Sequence, residues 1–107
     1  MLLFSCNIFG KYSKAIFIAT RKVIFMINVT VWNEYRHERE DEEVKAVYPD
    51  GIHNCIKDFL SKDEELNIRT ATLDEENCGL SDDVLNSTDV LIWWGHCHHD
   101  KVPDELV

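Results

Sequence analysis

The chain has 107 residues, enough for one domain at most, and its apolar fraction of 45% is ordinary for a soluble protein with a packed core. Its formal charge is −9, unevenly spread: residues 1–25 carry Lys11, Lys14, Arg21 and Lys22 and no acid, while the rest sets seven basic residues against twenty acids. An acidic body of this kind repels phosphate backbones, so nucleic acid is not an expected partner.

The first 25 residues hold two apolar patches, Met1–Phe9 and Ala15–Phe25, broken by charges. Neither approaches the roughly 20 apolar residues that span a bilayer, so no membrane partner is expected. A secretory signal places positive charge first and a small-residue cleavage site last. Here the first charge, Lys11, follows the first patch, and no A-x-A site follows. The stretch reads as an extension upstream of a natural start at Met26, where composition and charge both switch.

Ile27–Trp32 is β-branched and aromatic, which predicts a strand. Asn33–Tyr48 is dominated by the charge run EYRHEREDEE and is long for a β-to-α connection, so part of it is read as a short helix. Pro49-Asp50-Gly51 opens the next helix, with Pro49 and Asp50 in its first turn. Ile52, Cys55, Ile56, Phe59 and Leu60 form its apolar stripe. A polar turn over Ser61–Asn67 leads to a second strand, Ile68–Leu73. Beyond the polar connection Asp74–Gly79, Ser81 is a good N-cap, with Asp82 and Asp83 in the first turn of a short helix ending near Asn86. Asp89–Trp94 is a nearly continuous apolar run, the pattern of a strand buried on both faces. Trp93 and Trp94 point to opposite faces of it, and core is the expected role of each. Pro103-Asp104-Glu105 reads as a last helix start.

The order β-α-β-α-β implies parallel strands in an α/β fold. The four cysteines, Cys6, Cys55, Cys78 and Cys97, show no C-x-x-C spacing and read as free thiols of a reducing cytoplasm. No Gly-rich phosphate loop is present, which argues against nucleotide binding by a Rossmann or P-loop route.

In an open α/β sheet, ligands bind outside the carboxyl ends of the strands. His37 lies in the loop leaving the first strand, and His53 in the first turn of the helix that this loop feeds. His96, His98 and His99 leave the third strand after Gly95, which permits a sharp bend. All five histidines therefore fall on the carboxyl edge. Two chemistries fit. One is a divalent metal held by His96, His99 and a carboxylate or His37. The other is acid/base work by a histidine paired with Glu34, Glu38 or Asp100. Cys97 reads as an inert thiol rather than a nucleophile.

Four blocks, V-W-N-E-Y-R-H-E (31–38), Y-P-D-G-I-H (48–53), I-R-T-A-T-L-D (68–74) and T-D-V-L-I-W-W-G-H-x-x-H (88–99), together resemble the N-terminal part of the trehalose-utilisation (ThuA-like) family. The likeness runs from about Met26 to Val107, and residues 1–25 have no counterpart. It implies a flavodoxin-like α/β parallel sheet with flanking helices, related to class I glutamine amidotransferases and cut after the third strand. It also implies a role in the use of trehalose and related disaccharides, acting on or binding a sugar or an oxidised sugar intermediate. By motif position, Glu34, Arg36, His37 and Glu38 match the first block, His53 the second, and Trp94, Gly95, His96 and His99 the last. His96, His37 and Glu38 are the expected catalytic groups, with Glu34, Arg36, His53, Trp94, Gly95 and His99 on the ligand. His98 falls where the family tends to have a small residue, and the family is thought to lack the amidotransferase cysteine. A non-catalytic sugar-binding or regulatory module and an inactive truncated product are the alternatives. Three parallel strands need cover on both faces, so the isolated chain is expected to be poorly stable or aggregation-prone.

Overall fold

The computed structural model describes residues 16–17 and 23–106. Most of the extension expected over residues 1–25 lies outside these. Of it, a short antiparallel ladder pairs Ile16 with Ile24 and Phe17 with Val23. The remainder is an open, all-parallel three-stranded sheet with flanking helices, an α/β fold.

Strand β1 spans Ile27–Asn33. The charged connection that follows folds into two short helices, α1 (His37–Glu40) and α2 (Glu42–Val47). Asp41 separates them, and its carboxylate accepts the backbone N–H groups of Glu43 and Val44 at the start of α2. Helix α3 spans Ile52–Leu60, strand β2 Leu66–Thr72, helix α4 Asp82–Asn86 and strand β3 Val90–Trp94. The 3-10 turns Glu76–Gly79, His99–Lys101 and Asp104–Leu106 complete the chain. The sheet order is β2-β1-β3, with Trp32 level with Ala71 on one side and Trp93 on the other.

Alternation along β1 divides the core. Trp32, fully buried, packs with Ala71, Leu80 and Val102 on one face. Its indole N–H donates to the Cys78 carbonyl at 2.9 Å, and its ring stacks on Trp93 at 3.9 Å between centroids. Val29, Val31 and Asn33 occupy the other face, where α3 lies against β1 and β2.

Several expectations need correction. Helix α3 begins after Gly51, not at Pro49, because Gly51 sits at φ 91° as its N-cap residue. Its buried stripe is also rotated. Ile52 and His53 are buried and Ile56 and Leu60 half-buried, while Cys55 is exposed and Phe59 is 69% exposed. At about 100° per residue, Ile52, Ile56, Leu60 and His53 form one arc. Asn33 draws His53 inward and so leaves Phe59 and Cys55 outside that arc. Strand β2 starts two residues before the expected Ile68. Ser81 stands at the N-cap of α4, but its hydroxyl makes no capping bond. The last segment forms only a 3-10 turn.

Strand β3 differs most. Expected to be buried on both faces, it is an edge strand, with Val90, Leu91, Trp93 and Trp94 at 45%, 41%, 39% and 42% exposure. Among the described residues it pairs with β1 alone, and α3 covers β1 and β2 instead. The tryptophan that fills the core is Trp32. Cys55, Cys78 and Cys97 are free thiols.

Leu80, 1% exposed, should lose about 2–5 kcal/mol of stability on Leu80→Ala. Phe59→Ala, at an exposed site, should stay within about 0.5 kcal/mol. Urea midpoints of the two variants check this; equal effects would move the core elsewhere.

Candidate functional site

In a β2-β1-β3 sheet the strand order reverses between β1 and β3, and the crevice at their carboxyl ends is where ligands bind in such folds. The loop leaving β1 builds this edge by reaching each of its neighbours with a different charged residue.

Glu34 reaches the loop after β3. Its side chain is fully buried, and its carboxylate accepts the backbone N–H groups of His96 (2.9 Å), Cys97 (2.7 Å) and His98 (2.8 Å). Burial pushes this carboxyl upward. The N–H groups of Cys97, His98 and His96 outweigh that, and the net shift is below the ordinary carboxylate range. The Glu34 N–H in turn donates to the Trp94 carbonyl at 3.2 Å.

Arg36 reaches the loop after β2. Its guanidinium holds Asp74 through both carboxylate oxygens, at 2.8 and 2.5 Å, and Arg39 adds a third contact at 2.7 Å. The bond to Arg36 is the chief cause that holds Asp74 below the ordinary range, and it raises Arg36 in return.

Glu38 reaches the start of α3. It is 2% exposed, and its Oε1 accepts the Ile52 N–H at 2.9 Å and the Asn33 side-chain amide at 2.5 Å. Its Oε2 is buried with no hydrogen-bond partner. The same Asn33 amide donates to His53 Nδ1 at 2.9 Å, while Asn33 Oδ1 accepts the Tyr35 N–H at 3.0 Å. Asn33, fully buried, thus joins Glu38, His53 and the backbone of Tyr35. Burial lowers the His53 pKa, and the charges of Glu38 and Glu75 oppose that less strongly.

Two backbone positions make this packing possible. Tyr35 adopts a left-handed φ of 51°, uncommon for a side chain of this size, and its ring meets His53 edge-on at 4.9 Å. Arg39 lies over the same ring. Gly51 lies so close that an added Cβ would fall 2.8 Å from His53 Nδ1 and 2.9 Å from the Tyr35 ring.

The expected site residues are brought together selectively. His37, half-buried, and His96, exposed, stack across the switch point with ring centroids 5.0 Å apart. His53 and Glu38 form the buried group beneath the same loop. Trp94 is exposed, level with Asn33 in the strand register. Gly95 lacks a Cβ where the His99 side chain and the Trp93 indole approach. His99 is exposed and starts the 3-10 turn 99–101, packed against Gly95. Among the described residues, no three His, Cys, Asp or Glu side chains gather to hold a metal ion. A metal at His96 and His99 therefore has no third donor there. Burial leads the causes that raise the Cys97 thiol, which disfavours the thiolate.

Asn33, Tyr35, Gly51 and Asp74 were given no role by sequence reasoning. Asn33 carries the one available signal: a polar residue that extends an apolar strand by one more inward position.

No protein-family model matches the chain, and no curated protein is significantly similar to it. Among the described residues, no helix is long and apolar enough to cross a membrane.

His53, Glu34 and Asp74 fix a pH dependence. A His with a lowered folded-state pKa contributes stability that is complete above its unfolded value, here 6.5, and falls as pH drops below it. Both carboxylates are lowered, so Glu34 adds a second loss as pH falls below 4.5 and Asp74 a further one below 3.8. His53→Gln should flatten the first window and Glu34→Gln the second. Glu34→Gln should also cost about 1.5–3 kcal/mol at pH 7, because the amide cannot satisfy three donors. Denaturation midpoints across the acid range would show it; an unchanged acid limb in Glu34→Gln would contradict the assignment.

Proposed function

We propose that the chain is a ThuA-like protein of trehalose or related disaccharide utilisation. In this reading it binds a sugar or an oxidised sugar intermediate at the carboxyl edge, between the loops after β1 and β3. The observation that carries the reading is the His37–His96 pair, stacked at the switch point from two separate loops. Four sequence blocks in the family's order support the family reading, and the β2-β1-β3 order is that of a flavodoxin-like sheet.

The chemistry follows from what each group has left to offer. A neutral imidazole donates through one nitrogen and accepts through the other, so two facing rings suit a polyhydroxylated ligand and can pass a proton to or from it. Trp94, 42% exposed, offers an apolar ring face to the C–H side of a sugar. Glu38 is buried behind these side chains, its Oε2 without a partner, so it supports the loop from beneath and does not meet the ligand. Glu34 and Arg36 are engaged by protein groups, so they hold the loops and leave the ligand to the histidines. That engagement also favours a second reading, binding without turnover, which product analysis with the same sugars separates from the first.

Imidazole 1H–15N spectra recorded during titration with trehalose test the site. His37 and His96 signals should shift together. His37→Ala and His96→Ala should each weaken binding about tenfold, the worth of one good hydrogen bond. Shifts confined to other residues, or none with trehalose and its disaccharide relatives, would sink the proposal.

A further inference from the structure

Helix α1 is a single turn of four residues, and Glu38 is the one of them that is buried. What Glu38 binds therefore decides how α1 lies, and with it His37, the neighbouring residue of the same turn. Glu38 is bound by a side chain that it shares with His53.

The hydrogen-bond roles in this cluster are fixed by what each atom can do. Asn33 Oδ1 accepts the Tyr35 N–H, which only an amide oxygen can. The NH2 group of Asn33 therefore faces both Glu38 Oε1, at 2.5 Å, and His53 Nδ1, at 2.9 Å, and gives one hydrogen to each. Nδ1 is thus the bare nitrogen of a neutral ring, and Nε2 carries the proton. A second proton can enter only at Nδ1, where an N–H of Asn33 already points. Asn33 cannot turn to meet it, because Tyr35 keeps its oxygen. Glu38 Oε2 remains, buried and without a donor.

We propose that His53 is a positioning residue for His37. Neutral, it shares Asn33 with Glu38 and leaves α1 seated; protonated, it displaces Asn33, pairs with Glu38 directly and turns α1, so that His37 leaves His96. The proton comes from solvent and stays on Nδ1.

The surroundings suit a change of partner. Burial is the main force against the protonated ring, while the charges of Glu38, from α1, and Glu75, from the loop after β2, favour it. Arg39 stands over the Tyr35 ring, whose edge meets the imidazole, and Asn54 lies 3.2 Å from Nε2 on the same helix as His53. Gly51 is so near that a Cβ there would fall 2.4 Å from the ring, which leaves little room to take up the proton in place. Arg36, tied to Asp74, is the pivot before α1, and Glu34 holds the backbone of residues 96–98. His37 is therefore the member of the pair that moves. The site is assembled at neutral pH and released as pH falls below the ordinary histidine value of 6.5. That this governs a ligand rests on the reading of His37 and His96 as the sugar-binding pair.

Nuclear magnetic resonance on the full chain, without ligand, tests the coupling. The Ile52 and His37 backbone amides and the Asn33 side-chain amide should shift with the His53 imidazole at one midpoint. His53→Gln keeps an acceptor for Asn33 but takes up no proton, so the three signals should stay in place through that range. Glu38→Gln removes the charge that favours the protonated ring and should lower the His53 midpoint by about 1–3 pH units. Titration of His53 with the three signals unmoved, or the same shifts in His53→Gln, would overturn the proposal. Should Glu38→Gln fail to fold, the His53→Gln comparison decides alone. With trehalose, wild-type affinity should fall about tenfold more per pH unit below the midpoint than in His53→Gln, as the competent fraction falls. A chain that shows the shared midpoint but binds no trehalose at any pH keeps the coupling and loses the sugar reading.

Discussion

The carboxylate of Glu34 is the constraint on which the rest of this molecule depends. A fully buried charge is tolerated only where hydrogen bonds replace its hydration, and three backbone N–H groups in succession do so here. Those three groups belong to the loop after β3, so the acid fixes the path of a segment that carries no regular structure of its own. His96 meets His37 because its backbone is already held. The site is thus an outcome of one electrostatic closure between the first and third loops.

The neighbouring residues extend the same logic in other directions. Arg36 and Arg39 converge on Asp74, and Glu38 meets the start of α3. Between Glu34 and Arg36, the left-handed turn at Tyr35 lets consecutive charged residues part toward different loops. Asn33 is the neutral centre of this arrangement. Its amide oxygen takes the Tyr35 N–H, which leaves its NH2 to serve Glu38 and His53 at once. One side chain in the last position of β1 therefore orients an acid, an imidazole and a strained peptide.

Much of this was legible in the residues. The α/β order, the parallel strands and the gathering of His37 and His96 on one edge follow from strand and helix periodicities alone. The rest was hidden for identifiable reasons. Periodicity placed Phe59 and Cys55 in the stripe of α3, because it weighs only apolar residues and could not know that Asn33 would draw His53 inward. The run 89–94 looked buried because hydrophobicity reports what a strand can bury, not which neighbours it has. Glu34 looked like a ligand contact, since nothing in a sequence shows that a carboxylate will be consumed by backbone donors more than sixty positions away.

That separation has a consequence in time. Glu34 precedes its first N–H partner by 62 residues. At about 5–20 residues per second, synthesis leaves its carboxylate without that partner for roughly 3–12 s. Through that interval β1 and β2 can pair, but the carboxyl end of β1 holds an acid that still needs water. Only arrival of the 96–98 backbone releases that water, so the edge that would receive a ligand closes after β1 and β2 have both been made. The order of synthesis is thus written into the molecule as an order of desolvation.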